Sequence, residues 1–509
     1  MIFFKKQLKK AFDYIADDFD QTRKYQWKDF KFLENYLKIL KNQKILDLGC
    51  GNGRANNFFK RFKLQYTGLD SSKNLLAKAK QNFPQEKFIY GQMEKKIPFK
   101  NKSFAAISAI ASFHHLFNAK DRQKCLQEIH RVLKPNGLLM MTVWNMQQEK
   151  FNTIRKKALL RSILCPFWEK NDLIVPFGKK KIPRYYYAFS PQNLKKILHD
   201  NFFEIKEIIF CQNGQKVPLN KAFNIAVIAQ KKTRIYLDKI PFDLISKKEI
   251  FKKLSNLALG KKQSMVFTPN PEMFLEAKKN KDFRKILQKA DLSLIDGVGI
   301  IWAFKNQGKN IFLTIFSLIK FLFSSKKIGP LERITGSWTF KKFCQQVNHD
   351  KNNQKEKIKV FLLGGKKGIA KKCLQIFKQK NPHFIASGYD EGSKDKKDEK
   401  RICQKINSSS ANVLFVAFGA PFQEIWINRN LKKIPHIKLA MGVGGSFDFT
   451  AGKIKRSPQI FQFLGLEWLY RLIRQPQRIK RIFNATFGFL KYISNLTKRS
   501  NRSGKSFCA

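Results

Sequence analysis

The chain has 509 residues, 43% of them hydrophobic, and a formal net charge of +63 from 100 Lys and Arg against 37 Asp and Glu. This length exceeds what one hydrophobic core usually organises, and the hydrophobic content excludes a disordered chain. The charge favours phosphate-bearing partners, either nucleic acid or an anionic membrane, although an AT-rich genome would also enrich Lys together with Phe, Asn and Ile.

Cysteine spacing and the first residues bear on the compartment. The eight cysteines lie at positions 50, 125, 165, 211, 344, 373, 403 and 508. Without close pairs they predict neither a zinc site nor a disulfide framework, which indicates reducing cytoplasm. The start, MIFFKKQLKK, has too short an apolar stretch for a signal peptide, so we expect no secretion signal.

Short apolar runs alternate with helical patterns twice along the chain, on either side of a basic seam at Lys231, Lys232 and Arg234. This alternation predicts two α/β domains with mainly parallel sheets, over residues 1–232 and 234–488. Residues 489–509 are basic and Ser-rich, and we expect them to form a flexible tail.

The segment KILDLGCGNGR, residues 44–54, reads as a buried strand that ends in Gly49, Gly51 and Gly53. Glycines allow the backbone to approach a ligand closely, and the following helix N-terminus favours negative charge. The spacing is G-x-G-x-G, which differs from the G-x-G-x-x-G of dinucleotide-binding proteins. The next strand, YTGLDSS, ends in Asp70.

With IPF at 97–99 and the strands AAISAIASFHHL and RVLKPNGLLMMTVW, this half resembles class I S-adenosylmethionine methyltransferases. The resemblance implies a Rossmann-like sheet and S-adenosylmethionine as cofactor, with the Asp70 carboxylate on the ribose hydroxyls. Met93 would pack against the adenine, whereas Gln92 departs from the acidic residue often found in this region. The implied cofactor-binding residues are Asp47, Gly49, Gly51, Gly53, Asp70 and Met93.

Two further segments, AFDYIADDFDQTRKYQWKDFKFL and VPFGKKKIPRYYYAF, resemble tRNA wobble-uridine carboxymethyl methyltransferases. These enzymes esterify a carboxylate, which needs no general base but does need a positive group to orient it. Arg184 is the candidate, with Tyr185 and Tyr186 beside it, and a surface arginine next to core aromatics is the alternative. His114 and His115 would line the substrate pocket, or else be packed histidines.

The second half contains, in order, TPNPEMFLEA, ADLSLIDGVGIIWAF, ERITGS, KVFLLGGKKGIA, VLFVAFGAPFQEIWI and a long block that starts GVGGSFDF. These blocks resemble the WecB/TagA/CpsF glycosyltransferases. The resemblance implies inverting, metal-independent transfer of N-acetylmannosamine, or a related sugar, from a UDP donor to polyprenyl-diphosphate-linked N-acetylglucosamine. Phe422 stands where a lysine is usual in the GAPFQE block.

Site residues follow from this second resemblance. Asp296 is the candidate base for the acceptor hydroxyl, and capping of the next helix is the alternative. Thr268 and Asn270 would position sugar hydroxyls, and Arg333 and Gln423 match further active-site positions. The remaining candidates for substrate binding are Gly444, Gly445 and Asp448, just after a strand, and Arg471, Arg474, Arg478 and Arg481 in the basic helical tail.

The run IFLTIFSLIKFLF, residues 311–323, is interposed between Asp296 and Arg333. As a helix it would be about 20 Å long, too short to cross a bilayer. A buried core helix and contact with the bilayer interface are both open, and we favour the interface because the implied acceptor carries a polyprenyl tail. The tail arginines share one helical face, which suits lipid headgroups or the acceptor diphosphate.

The methyl acceptor is left open between tRNA and a surface glycan or lipid-linked intermediate. One half acting as a non-catalytic membrane- or RNA-binding scaffold is a further alternative. We expect a cytoplasmic protein, peripheral at the inner face of the cell membrane, that uses no metal and forms a homo-oligomer if it follows the transferase family.

Overall fold

The structure, a computed structural model, describes residues 10–23, 27–165, 167–178, 180–305, 331–349, 357–454 and 487–503, and positions 457, 458, 461, 470, 473 and 476–479 between the last two ranges. Its contacts divide the chain into two compact units, Met1–Thr233 and Arg234–Ala509. The apolar run 311–323 and the residues Arg471, Arg474 and Arg481 lie outside the described residues.

The first unit is built on an eight-stranded sheet in the order β3-β2-β1-β4-β5-β10-β8-β9, with a separate β6–β7 hairpin. Strands β3 to β5 run parallel, and β10 is antiparallel to both β5 and β8. The strands are β1 Lys44–Leu48, β2 Gln65–Asp70, β3 Lys87–Tyr90, β4 Phe104–Ile110, β5 Leu133–Trp144, β6 Asp172–Phe177, β7 Ile182–Tyr187, β8 Phe203–Gln212, β9 Gln215–Lys216 and β10 Asn224–Lys231.

Helices cover the central parallel strands, which explains why β4 is buried along its whole length. Side-chain caps from Ser72, Asn118 and Ser190 start three of these helices. The helices are α1 Ala16–Thr22, α2 Glu34–Lys38, α3 Asn56–Lys60, α4 Lys73–Asn82, α5 Ala119–Val132, α6 Asn152–Leu164 and α7 Pro191–Asp200.

The second unit begins with a two-stranded hairpin and continues into a six-stranded parallel sheet in the order β14-β13-β18-β17-β15-β16. Two doubly wound α/β units with parallel central strands therefore confirm the predicted fold class. The strands are β11 Arg234–Leu237, β12 Ile240–Asp243, β13 Ser264–Phe267, β14 Leu292–Ser293, β15 Lys359–Gly364, β16 Ile385–Asp390, β17 Val413–Ala417 and β18 Leu439–Gly442.

The helices of the second unit connect these strands and place each carboxyl end at the same edge of the sheet. They are α8 Lys247–Ala258, α9 Pro271–Lys279, α10 Lys281–Gln288, α11 Val298–Lys305, α12 Gly336–Gln346, α13 Ile369–Lys380, α14 Glu399–Asn407, α15 Phe422–Asn430, α16 Ser446–Thr450 and α17 Phe489–Ser503. No helix in the described part of the chain is both long and apolar enough to cross a bilayer.

The basic seam between the two halves is tied to the units on either side of it. The Lys231 ammonium is buried and donates hydrogen bonds to the carbonyls of His130 and Leu133. Arg234 donates to both carboxylate oxygens of Asp243, each at 2.8 Å. These residues are thus anchors within their own units.

The prediction of a flexible tail from residue 489 is wrong for most of that segment, because Phe489–Ser503 forms the helix α17. Its first turn buries Phe489 and Ile493, and the Phe489 ring lies 5.8 Å from that of Phe274 on α9. The Tyr492 hydroxyl donates to the Asp238 carboxylate. Apolar contact with α9 stabilises this helix in spite of its basic composition.

Candidate functional site

The first unit contains a cavity of about 910 Å³ at the carboxyl ends of β1, β2 and β4. The order of strands reverses between β1 and β4, and ligands of open α/β sheets bind at such a point. Gly49, Gly51, Asp70 and Met93 all line the cavity. Side chains of the segment before β1 and of the β6–β7 hairpin complete its wall.

Carboxylates occupy the end of the cavity next to β1 and β2. The Asp70 oxygens accept from the backbone N–H groups of Gly51 and Ser72, each at 2.8 Å. Burial raises the pKa of Asp70. A carboxylate can accept about four hydrogen bonds, so these two leave capacity for ligand hydroxyls.

The Asp47 carboxylate is held by side-chain hydroxyl groups, whereas the Asp70 carboxylate is held by backbone N–H groups. Its oxygens accept from the Ser108 hydroxyl at 2.6 Å and the Tyr66 hydroxyl at 2.9 Å. Burial raises the pKa of Asp47 to about 6, although both hydrogen bonds lower it. Asp47 lines the cavity from β1. Its hydroxyl partners lie on the two neighbouring strands, β2 and β4, and fix its position.

The three glycines of the GCGNG segment have different roles. A Cβ at Gly49 would lie 2.4 Å from the Ser112 Cβ, so only glycine allows this close approach. Gly51 supplies the N–H that fixes Asp70. Gly53, which we predicted to bind the cofactor, is not among the residues that line the cavity; a Cβ there would lie 3.0 Å from Phe88, which makes it a packing position.

S-adenosylmethionine fits the residues at this end of the cavity. The ligand carries a ribose diol, which suits the spare acceptor capacity of Asp70, and an adenine ring, which suits Met93 and Gln92 on the same wall. The bare backbone at Gly49 and Gly51 admits a ligand close to the end of β1.

Three arginines also line the cavity, and one of them, Arg54, lies close enough to Asp47 for their charges to interact. Arg184 is only 5% exposed, and its Nε has no hydrogen-bond partner in the described part of the chain. Its guanidinium lies 4.4 Å from the ring centre of Phe177. Arg23 and Arg54 also line the cavity, and Arg23 lies 5.2 Å from the same Phe177 ring.

Burial lowers the pKa of all three arginines, and the charge of Arg23 further lowers the pKa of Arg54, to about 10, and that of Arg184. Cations that repel one another in a desolvated cavity bind an anion more strongly than separate surface arginines do. We identified Arg184 from the sequence, whereas Arg23 and Arg54 were missed. Both lie in segments quoted above, Arg54 directly after Gly53.

The two histidines line the cavity, as we expected; His114 is buried and His115 is partly buried. The Trp144 N–H donates to His114 Nδ1 at 3.2 Å, which places the proton of the neutral ring on Nε2, an atom without a partner among the described residues. His115 Nδ1 lies 2.7 Å from the Tyr185 carbonyl and donates to it. Burial lowers the pKa of His114 well below its usual range and that of His115 to about 3.

Tyr185 is less suited to substrate binding than we expected. Its hydroxyl lies 2.6 Å from an Asp172 oxygen and 2.8 Å from the Phe117 carbonyl, so its polar atom is already engaged. Tyr186 is the better candidate because its ring packs beside His114 and His115, with centroids at 4.9 and 4.5 Å.

The second unit brings several predicted site residues together at the carboxyl edge of its sheet. Asp296 follows β14 and Thr268 follows β13, and these two strands are neighbours. An Asp296 oxygen accepts from the Gly336 N–H at 3.2 Å, and a Cβ at Gly336 would lie 3.2 Å from the Thr268 hydroxyl oxygen. The Ile334 N–H donates to the Ile295 carbonyl, which holds the adjoining Arg333 segment beside this edge.

Two of the predicted residues also have structural roles. Thr335 is the N-cap residue of α12, and one Asp296 oxygen adds a second capping bond by accepting from the first-turn N–H of Gly336. The capping that we considered from the sequence was of the next helix, α11, and this bond does not test it. Asn270 Oδ1 accepts from the Met273 N–H at 3.0 Å and caps α9, which leaves its NH₂ group for a ligand.

Gln423 follows β17, and its side chain reaches the loop after β18, the strand that separates β17 from β13. Its Oε1 accepts from the Gly444 N–H at 2.8 Å, and its Nε2 donates to Glu424 at 2.7 Å, so both ends of the amide are fixed. A Cβ at Gly442 would lie 2.7 Å from Nε2, which explains the glycine there. Among the described residues, no atom lies within 4 Å of a Cβ position at Gly444 or Gly445.

Glu424, which we did not single out from the sequence, is buried, and burial raises its pKa to about 7. Phe422 is exposed and has the Lys394 ammonium 4.4 Å from its ring centre, so a cation stands near this substituted position. Asp448 lies on α16, which starts directly after Gly445. In the described ranges no cluster of three or more His, Cys, Asp or Glu is placed to hold a metal.

We predict that Glu424→Gln raises the free energy of unfolding of the second unit, relative to the wild type, by more at pH 8 than at pH 5. The native pKa of about 7 lies above the ordinary 4.5, so the native state keeps a proton that the unfolded chain releases. The contribution of protonated Glu424 to the free energy of unfolding is therefore fully present below pH 4.5. It is lost as the pH rises through 7, by about 3 kcal/mol. Denaturant unfolding at both pH values measures this. Equal pH dependence of variant and wild type would contradict it.

Both halves of the chain match families of known proteins. Residues 235–502 match the model of the glycosyl transferase WecG/TagA/CpsF family, and residues 46–141 match a methyltransferase domain. A curated relative, the N-acetylglucosaminyldiphosphoundecaprenol N-acetyl-beta-D-mannosaminyltransferase of Bacillus spizizenii, is 32% identical over 245 residues, which are 48% of this chain and 82% of the relative.

Similar solved structures include a SAM-dependent methyltransferase of Methanosarcina mazei, 21% identical with a TM-score of 0.33, over 40% of this chain and 97% of that one. Another, from Clostridium acetobutylicum, is 14% identical with a TM-score of 0.32, over 43% and 98%. The family match over residues 235–502 and the separate match over residues 46–141 lead to one conclusion. The chain belongs to the WecG/TagA/CpsF glycosyltransferase family and carries a methyltransferase domain in its first half.

Proposed function

We propose that the second unit transfers N-acetylmannosamine, or a related N-acetylhexosamine, from a UDP-sugar to polyprenyl-diphosphate-linked N-acetylglucosamine. The main support is the convergence of Asp296, Thr268 and the Gly336 N–H at the carboxyl edge of the sheet. The name of the Bacillus spizizenii relative describes this donor sugar and this acceptor class.

In the proposed mechanism the Asp296 carboxylate takes the proton of the acceptor hydroxyl as that oxygen attacks the anomeric carbon, and the bond to UDP breaks with inversion. The Gly336 N–H holds one carboxylate oxygen and so orients the other. Thr268 and Asn270 would bind sugar or nucleotide groups, and Gln423 would hold the Gly444 loop beside them. Arg333 with the tail arginines would stabilise the departing diphosphate without a metal.

For the first unit we propose S-adenosylmethionine-dependent methylation of an anionic acceptor. S-adenosylmethionine supplies the methyl group when it is bound. Asp70 holds its ribose, while Arg184, Arg23 and Arg54 bind the negative charge of the acceptor in a cavity lined with aromatic rings. The carboxylate of a wobble uridine in tRNA and an acidic surface glycan or lipid-linked intermediate both satisfy this requirement.

One labelling experiment separates the acceptors. The full chain is incubated with methyl-labelled S-adenosylmethionine and, separately, with total tRNA and with a lipid extract. Label in either fraction identifies the acceptor class, and label in neither contradicts the proposed methyl transfer. We further propose that the protein acts at the cytoplasmic face of the cell membrane, as an oligomer.

We predict that Asp70→Ala weakens the binding of S-adenosylmethionine about tenfold to a hundredfold. A hydrogen bond to a charged group contributes about 1.5–3 kcal/mol, and the variant loses those to the ribose diol. Calorimetric titration of the full chain measures the affinity. Asp200→Ala, an exposed carboxylate of α7, is the control and should bind as the wild type does. Equal affinities of the two variants would contradict the assignment.

A further inference from the structure

The helix α6 presents an apolar face to solvent. Among the described residues fourteen large hydrophobic side chains are exposed, and five of these fall within residues 159–167. Their exposed fractions are 48% for Leu159, 61% for Leu160, 71% for Ile163, 84% for Leu164 and 67% for Phe167. Leu159, Leu160, Ile163 and Leu164 lie three or four positions apart in pairs, and so form one continuous strip, here called the α6 face.

The charges on α6 are all positive. The helix NTIRKKALLRSIL contains two arginines and two lysines and no acidic residue. Lys156 and Lys157 are exposed; Lys156 lies one turn before Leu160 and Lys157 lies two turns before Leu164, within the same strip. The α6 face therefore combines leucine and isoleucine side chains with cations.

The opposite side of α6 is fixed to the β6–β7 hairpin. Ala158 is buried in a cluster with Leu173 and Tyr186, which belong to the two strands of that hairpin. The Arg161 guanidinium donates to the Asp172 carbonyl and lies 3.9 Å from the ring centre of Trp168. Because this side packs on the hairpin, α6 is held with the α6 face directed outward.

We propose that the α6 face docks on an anionic lipid bilayer. At a bilayer interface leucine side chains enter the acyl boundary while lysines extend to the headgroups, so that one surface accepts both groups. Each lysine near an anionic surface adds about 1 kcal/mol of attraction.

Other occupants explain the face less well. In a symmetric pair of α6 helices the lysines of the two copies would meet without an acidic partner on either helix. RNA would bind the lysines but would leave the leucines in water. The hairpin that holds α6 also carries Arg184, so docking would bring that wall of the methyltransferase cavity close to lipid. If Arg184 binds the acceptor as proposed above, this position favours a lipid-linked acceptor over tRNA.

The experiment uses the full chain and vesicles of phosphatidylcholine with and without phosphatidylglycerol, measured by flotation. Ile163→Ser together with Leu164→Ser should raise the lipid concentration for half-binding about tenfold on anionic vesicles. Ile163→Ser alone should have a smaller effect of the same sign. Ile39→Ser, with the same change at a side chain that is 77% exposed, is the matched control and should bind as wild type.

Binding by the second unit could hide a loss at α6, so a second measurement locates the contact. Vesicles that contain a photoactivatable phosphatidylglycerol should label peptides of residues 152–165 and leave those around Ile39 unlabelled. Absence of label at 152–165 overturns the proposal, whether or not the double variant and Ile39→Ser float equally. A wild-type dimer without lipid that the double variant loses would assign the face to a second copy instead.

Discussion

Asp296→Asn is expected to lower the rate of sugar transfer about 10²- to 10⁴-fold, the usual contribution of a general base. Asparagine has nearly the same shape and retains an oxygen that can accept from the Gly336 N–H, so the cap of α12 survives. What the variant loses is a group that can take the proton of the acceptor hydroxyl. Product formation from a UDP-sugar and a short-tailed lipid-diphosphate N-acetylglucosamine, followed by mass spectrometry, measures the rate.

Two controls separate this role from capping. Asp282→Asn changes an exposed aspartate of the same unit, and its turnover should equal that of the wild type. Gly336→Ala disturbs the packing around Asp296 without changing its carboxylate, because the added Cβ would lie 3.2 Å from the Thr268 hydroxyl oxygen. If Asp296→Asn kept full turnover, Asp296 would be only a helix cap.

Arg184→Met is expected to reduce methyl transfer roughly a hundredfold, while the affinity for S-adenosylmethionine stays within about twofold of the wild type. The arginine is buried on β7 in the cavity wall, and its Nε is unpaired among the described residues. Methionine keeps the apolar contacts of the stem but removes the charge and the fork of donors. Arg184→Lys should recover little activity, because a lysine cannot bind a carboxylate in a bidentate manner.

The matched control is Arg61→Met, which removes an arginine that is mostly exposed and also packs on aromatic rings, those of Phe58 and Phe62. Its methyl transfer should be unchanged. Retention of full activity in Arg184→Met would mean that the arginine only packs between rings. Loss of cofactor binding in that variant would mean that it supports the cavity as a whole.

The parts of the fold that the sequence predicts best are those in which a local pattern has one physical cause. The run KILDL must be a strand with both faces covered, and the glycines after it mark a close backbone approach, so β1 and Gly49 could be located without coordinates. Asp296 and Thr268 were expected at one site because the blocks that contain them resemble the WecB/TagA/CpsF glycosyltransferases, and the structure places both after neighbouring parallel strands.

The residues that were missed or misassigned depend on contacts between distant segments. From the sequence alone, Arg23 and Arg54 resemble surface cations. Only the folded structure shows that Arg23 packs on the Phe177 ring and Arg54 on the Trp27 ring. Gly53 looks like its neighbours Gly49 and Gly51, yet Phe88 from another strand decides its role. Asparagine is common both at N-caps and at sugar sites, so the cap made by Asn270 could not be predicted from residue type.

The most direct test of the account is the mass of the lipid acceptor after incubation of the purified full chain with a panel of UDP-N-acetylhexosamines. We expect the wild type to add one N-acetylhexosamine to the lipid-diphosphate N-acetylglucosamine and Asp296→Asn to add almost none. An acceptor whose mass is unchanged with every donor, or a product that forms equally with Asp296→Asn, would contradict it.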